Sequence, residues 1–224
     1  MNLRIFENVD ELIRGAARTI VERADDGTSI ALSGGSTPKP LYELLGKNDE
    51  LLQKKITWVV VDERYVPLSD PQSNAAMIER ALFANGKPPN HRFLRFKTEM
   101  NDPAATAAEF EREWRDHGLN DLDIVILGMG DDGHTASLFP GTTALAVEDR
   151  IATEVWVEKV KMWRVTITKP VIRAAKLRMV LAAGESKREM LKQIRDGADV
   201  PIVQATNGLE TWWFVDKAAT PDVW

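Results

Sequence analysis

Near the start of the chain, apolar residues return at helical spacing. Val9, Leu12, Ile13, Ala16, Ala17, Ile20, Val21 and Ala24 fall at i, i+3, i+4 and i+7. That period puts them on one face and predicts an amphipathic helix ending near Asp26-Gly27. TSIAL (28–32) is then a short strand, broken by SGGSTP. Pro38 and Pro40 open a second helix carrying Leu41, Leu44 and Leu45. The β-branched run ITWVVVD (56–62) is a second strand, followed by a polar loop over 63–73 and a helix over 74–83. Residues 86–102 are irregular, with a short strand at RFLRF, and 103–117 is helical. LDIVIL (122–127) is a third buried strand. RIATEVWV (150–157), WRVTIT (163–168), KLRMVLAA (176–183) and TWWFVD (211–216) are further strands. GESKREMLKQIRDG (184–197) is a helix ending at Gly197.

Apolar strands alternating with helices imply an α/β fold, with a mainly parallel sheet covered by helices on both faces. The pattern shows no repeat, low-complexity tract or linker, so a single domain over 1–224 is expected. In such sheets ligands bind outside the carboxyl ends of the strands. The informative segments are therefore the post-strand loops SGGST, DERYVP, GMGDDGH and AAGESK.

Composition narrows the classes. A hydrophobic content of 44% over 224 residues is ample for a core. The net charge of −5, with no long run of one sign, argues against a nucleic-acid partner, which would need a dense basic face. An anionic substrate would need a local cluster of Lys and Arg, working against the overall field. With no cysteine, thiolate nucleophiles, disulfides and Cys-ligated zinc are excluded. No apolar run approaches the ~18–20 residues that span a bilayer, and MNLRIFENVDELIRG is not a secretory signal. A cytoplasmic protein without a membrane partner is expected.

Each loop carries a chemical reading beside a plainly structural one. Gly34, Gly35, Ser36 and Thr37 lie between a strand and a helix, where exposed N–H groups and hydroxyls suit a phosphate. The structural alternative is a tight turn with Thr37 capping the helix before Pro38. The segment is neither a P-loop nor GxGxxG. Asp62, Glu63 and Arg64 close a strand and read as site residues or as a solvated surface run. Asn74 reads more readily as a helix cap than as a ligand contact. Lys187 sits in the first turn of a helix, where the macrodipole disfavours a cation unless an anion lies between them. The alternative is an ordinary exposed lysine. Arg164, ahead of VTIT, is a further cation candidate.

His134 carries the sharpest reading. Its ordinary pKa of about 6.5 suits a general base or acid near neutral pH. No HExxH or second nearby histidine supports zinc, and no GxSxG elbow supports a serine triad. Asp132 and Asp62 are the two carboxylates available to orient its ring. His91 and His117 stand in polar contexts and read as exposed. Trp212, Trp213 and Trp224 read as internally packed in preference to forming an oligomer contact.

Taken together and in order, these blocks resemble the 6-phosphogluconolactonase family. The matching segments are LSGGSTPKPLYELL (32–45), VDERYVPLSDPQSN (61–74), LGMGDDGHTASLFPGT (127–142), RVTIT (164–168), GESK (184–187) and TWWFVDKAA (211–219). The resemblance implies a three-layer α/β/α fold with a Rossmann-like sheet, shared with glucosamine-6-phosphate deaminases. It implies hydrolysis of 6-phospho-D-glucono-1,5-lactone in the oxidative pentose phosphate pathway, without metal or organic cofactor. A monomer and a homodimer are both open. The family's phosphate loop falls on Gly34, Gly35, Ser36 and Thr37, its anion contacts on Arg64, Arg164 and Lys187, and its catalytic histidine on His134. The deaminase relatives carry a glutamate five residues past that histidine, where this chain has Phe139. A sugar-phosphate-binding regulator is a third reading, but a sheet that begins by residue 28 leaves no room for a DNA-binding domain.

Overall fold

The computed structural model describes residues 2–221. Its elements run β1 (Asn2–Phe6), α1 (Val9–Arg23), β2 (Ser29–Leu32), α2 (Lys39–Leu45), α3 (Asp49–Gln53), β3 (Thr57–Val60), β4 (Asp62–Arg64), α4 (Asn74–Leu82), β5 (Arg92–Leu94), α5 (Pro103–Asp116) and β6 (Ile124–Gly128). They continue through β7 (Ala152–Val157), β8 (Met162–Ile167), α6 (Lys169–Ala174), β9 (Leu177–Ala182), α7 (Arg188–Arg195), α8 (Pro201–Thr206) and β10 (Thr211–Asp216). Among these helices none is long and apolar enough to cross a membrane.

Seven strands pair in the order β1-β10-β9-β6-β2-β3-β5, every neighbouring pair parallel. β2, β9 and β10 are buried along their whole length, as strands covered on both faces must be. The arrangement is a three-layer α/β/α fold. From β2 the chain steps outward to β3 and β5, whereas β6, β9 and β10 lie on the other side of β2. The order therefore reverses between β2 and β6, which opens a crevice at their carboxyl ends.

A second, antiparallel sheet, β4-β8-β7, is joined to the first where Val61 donates to the Leu32 carbonyl and accepts from the Ile167 N–H. The sequence reading has residues 63–73 as a loop throughout. Asp62–Arg64 instead forms β4, because its register with β8 pairs Asp62 with Thr166, Glu63 with Val165 and Arg64 with Arg164.

Other local expectations are corrected. The sheet begins at Asn2, not residue 28: β1 is a half-exposed edge strand without a clean apolar alternation. α1 buries Leu12, Ile13, Ala16 and Ile20 as expected and is capped by Asn8, whose side chain accepts from the Glu11 N–H at 3.0 Å. It ends at Arg23, before Gly27, because Ala24 turns extended and the Thr28 hydroxyl takes the Asp25 N–H. The short helices α3 and α8 carry too few residues to show a period.

His91 is buried, not exposed. Its Nδ1 accepts from Trp58 Nε1 at 3.0 Å, which joins a residue in a polar stretch to the core. His117 is exposed. Trp213 is buried, and Trp212 packs under the Arg4 guanidinium, 3.6 Å from its ring centre, so both tryptophans are internal. Trp224 lies outside the described residues.

Candidate active site

The loops after β2, β3, β6 and β9 converge because those four strands are neighbours in the sheet centre. They enclose a cavity of about 220 Å³. Gly34, Gly35, Ser36, Thr37, Asp62, Arg64, His134, Arg164 and Lys187 all line it. Asp132 does not, and it reaches the cavity only through His134.

The loop after β2 is pinned at its root. Ser33 Oγ donates to the Ile126 carbonyl at 2.7 Å, and Tyr42 Oη donates to the Ser33 carbonyl at 2.5 Å. Gly35 has φ +114°, a conformation that other residues rarely adopt. Thr37 is not the cap of α2. Pro38 holds that position, with no side-chain hydrogen bond.

His134 follows β6 in a tight loop. Its Nδ1 lies 2.5 Å from Asp132 Oδ1, and the same oxygen accepts the His134 backbone N–H at 3.1 Å. An ionised carboxylate only accepts, so Nδ1 carries a proton, and in the neutral ring that leaves the lone pair on Nε2. Burial alone would raise the Asp132 pKa. The hydrogen bonds from His134 and the charge of Lys159, 3.7 Å away, outweigh it and hold the carboxyl below its ordinary value. Gly130 is glycine for a steric reason: a Cβ there would lie 2.1 Å from His134 Cε1 and Nδ1. The imidazole also stacks on Phe139, with centroids 4.0 Å apart. Sequence reasoning left Asp132 and Asp62 open as partners of His134, and the fold separates them. Asp62 makes no hydrogen bond or ion pair with His134 among the described residues.

Asp62 belongs to a second cluster. It accepts from Ser137 Oγ at 2.6 Å, lies 3.5 Å from Asn74 Nδ2, and faces Arg164 Nη1 at 3.7 Å. Ser137 is directed there by Ala136, which takes φ +51°, a strained value for a residue with a Cβ. Arg64 and Arg164 are direct cross-strand partners. Like charges so placed are destabilising by themselves, and the Asp62 carboxylate supplies a counter-charge to Arg164. Burial lowers the Arg164 pKa, opposed by the neighbouring Asp62 charge. Nε of both arginines is buried without a hydrogen-bond partner among the described residues.

Glu63 is structural. It is 1% exposed and accepts from the N–H groups of Arg64, Asn74 and Ala75 and from Ser73 Oγ, tying β4 to the start of α4. Burial raises its pKa despite those four donors. Ser73 caps α4, so Asn74 is not the cap; it is a buried residue in the cavity wall. Sequence reading missed Ser137 and gave Asn74 the wrong job. The available signal was the Ser-Asn pair at the helix start, where one residue suffices as cap.

Lys187 lies in a 3₁₀ turn after β9, with Nζ 2.5 Å from Asp131 Oδ1. The anion beside it is thus a side chain of the His134 loop. No group of three or more His, Asp or Glu among the described residues is arranged to hold a metal ion.

The model of the family described as glucosamine-6-phosphate isomerases/6-phosphogluconolactonase matches residues 5–213. A 6-phosphogluconolactonase from Nostoc sp. is 39% identical over 201 residues, covering 85% of this chain and 82% of its own. The crystal structure of 6-phosphogluconolactonase from Leishmania guyanensis superposes with a TM-score of 0.85 at 28% identity, covering 100% of this chain and 98% of that one. A monomeric glucosamine-6-phosphate deaminase, at 21% identity and a TM-score of 0.81 over 98% of each chain, shares the fold. The match runs from β1 into β10 and takes in all four site loops, so the chain belongs to the glucosamine-6-phosphate isomerase/6-phosphogluconolactonase family.

Proposed function

We propose that this protein hydrolyses 6-phospho-D-glucono-1,5-lactone to 6-phospho-D-gluconate in the oxidative pentose phosphate pathway, as a single domain with His134 as general base. The observation that carries the reading is His134, held by Asp132 through Nδ1, on the wall of a cavity that also presents Arg64, Arg164 and Lys187. Nε2 takes a proton from water as the water oxygen bonds to lactone C1. Asp132 stabilises the imidazolium. The proton then passes to the ring oxygen as its bond to C1 breaks, leaving the acid and a free 5-hydroxyl. General-base help of this kind contributes about 10²–10⁴-fold, and positioning of the ester contributes further.

The 6-phosphate is gripped by the 34–37 loop and Lys187, with charge-assisted hydrogen bonds. Arg64 and Arg164 hold substrate or the developing oxyanion. Hydrolysis is favoured over deamination by Phe139: the face of His134 that it covers carries an apolar ring and no carboxylate. Aldose–ketose proton shuttling and ring opening call for an extra acid there.

The test generates the lactone in situ with glucose-6-phosphate dehydrogenase and follows 6-phosphogluconate formation above the spontaneous rate. Wild type should turn over fast, and His134→Ala should lose about 10²–10⁴ in kcat with little change in KM. Activity in His134→Ala close to wild type would remove the base assignment. Ammonia released from glucosamine 6-phosphate would favour the deaminase.

A further inference from the structure

The start of α4 carries a side chain that the proposed chemistry leaves unused. Asn74 is 2% exposed, and its Nδ2 donates to the Asp62 carbonyl oxygen at 2.7 Å and lies 3.5 Å from the Asp62 carboxylate. Both neighbours are acceptors, so the amide cannot be turned over, and Oδ1 must point the other way. There it is buried with no hydrogen-bond donor among the described residues. A buried acceptor left unpaired is destabilising, and at this one it packs on backbone. A Cβ built on Gly34 would lie 1.8 Å from Asn74 Oδ1, 2.1 Å from its Cγ and 2.6 Å from Nδ2. The amide therefore fills the space that a side chain at position 34 would need, a separation that only glycine permits.

We propose that Asn74 is a positioning residue that fixes the 34–37 loop for the sugar phosphate, and that its amide is what requires glycine at position 34. The inference rests on the lactonase reading of the cavity. The loop is clamped on one side, at Ser33, by Tyr42 and Ile126. Asn74 packs against it one residue later, at Gly34. Because the same amide is anchored on Asp62, and Asp62 faces Arg164 and Ser137, the phosphate loop and the Asp62 cluster are held in one frame. Asn74 touches no reacting atom in this account; it sets where the loop's N–H groups point. Gly35, with its positive φ, remains the residue that shapes the turn itself.

The experiment compares kcat and KM for the phosphorylated lactone in wild type, Asn74→Ala, Gly34→Ala and the double variant. Asn74→Ala should raise KM about three- to tenfold and leave kcat within about threefold, since the base is untouched. Gly34→Ala should be the worse of the two, because its Cβ meets an anchored amide. In the double variant that amide is gone, so Gly34→Ala should add little to the effect of Asn74→Ala, a strong non-additivity. KM does not depend on how much of a sample is folded, so partial unfolding cannot imitate this pattern. If Asn74→Ala does not accumulate, Asn74→Ser vacates the same space and gives the same readout. An unchanged KM in the Asn74 variant, or single effects that simply multiply in the double variant, would overturn the proposal. Wild type without turnover would instead bring down the lactonase reading, and this inference with it.

Discussion

Lys187 meets an anion before any substrate arrives, and that gives a quantitative prediction about Asp131. The Lys187 ammonium, with a side chain 23% exposed, pairs at 2.5 Å with an Asp131 carboxylate that is 69% exposed. On the proposed reading, a phosphate gripped by Lys187 competes with that carboxylate. Exposed ion pairs are worth about 0.2–1 kcal/mol, so Asp131→Asn should lower KM for the phosphorylated lactone by about 1.4- to 5-fold, with kcat unchanged. Lys187→Ala loses a charge-assisted contact of about 1.5–3 kcal/mol and no longer has the Asp131 pair to break. The difference, about 0.5–2.8 kcal/mol, corresponds to a rise in KM of roughly 2- to 100-fold. In the Lys187→Ala background, Asp131→Asn should then do almost nothing. The assay is steady-state hydrolysis at constant ionic strength, because both terms are screened by salt. The reasoning is refuted if Asp131→Asn raises KM. It is equally refuted if the substitution lowers KM by the same factor without Lys187, since Asp131 would then act only through the general field.

Two predictions concern the scaffold behind the site. Burial lowers the His91 pKa below its ordinary 6.5, so above that pH both folded and unfolded forms are neutral and no stability is lost. As pH falls below about 6.5 the unfolded chain takes up a proton that the folded chain refuses. Stability should then fall by up to about 1.4 kcal/mol per pH unit until the folded pKa is reached. Chemical denaturation at pH 7, 6 and 5 should show this slope in wild type and a smaller slope, by up to one proton, in His91→Asn. Glu63→Gln replaces one of two acceptor oxygens with an NH2 group that faces donors, either the Arg64 and Asn74 N–H groups or Ser73 Oγ and the Ala75 N–H. It should cost about 1–3 kcal/mol, seen calorimetrically as a loss of about 2–12 °C in Tm. A Tm equal to wild type would show that Glu63 does not hold the start of α4.

How much of this was legible in the sequence follows from the range over which each residue gets its environment. α1, β2, β3, β6, β9 and β10 announce themselves because their burial is periodic or continuous over neighbouring positions. The site loops are legible because an open parallel sheet puts its ligands at strand ends whatever the details. β4 is not, since Asp62-Glu63-Arg64 has no apolar pattern and becomes a strand only by pairing with β8, a hundred residues later. That one unseen pairing has two consequences. It hid the juxtaposition of Arg64 with Arg164, and it left Asp62 looking as good a partner for His134 as Asp132. The choice between two carboxylates is a question of distance, and β4 turns Asp62 toward Ser137 and Arg164 while the tight 130–134 loop returns Asp132 to the imidazole. Asn74 was misjudged for the same reason. Locally it is one of two adjacent residues able to cap a helix, and only the approach of Gly34, from forty residues earlier, shows what its side chain is against. Chemistry carried by residue type and strand order can be read from one chain; chemistry carried by which polar group faces which has to wait for the fold.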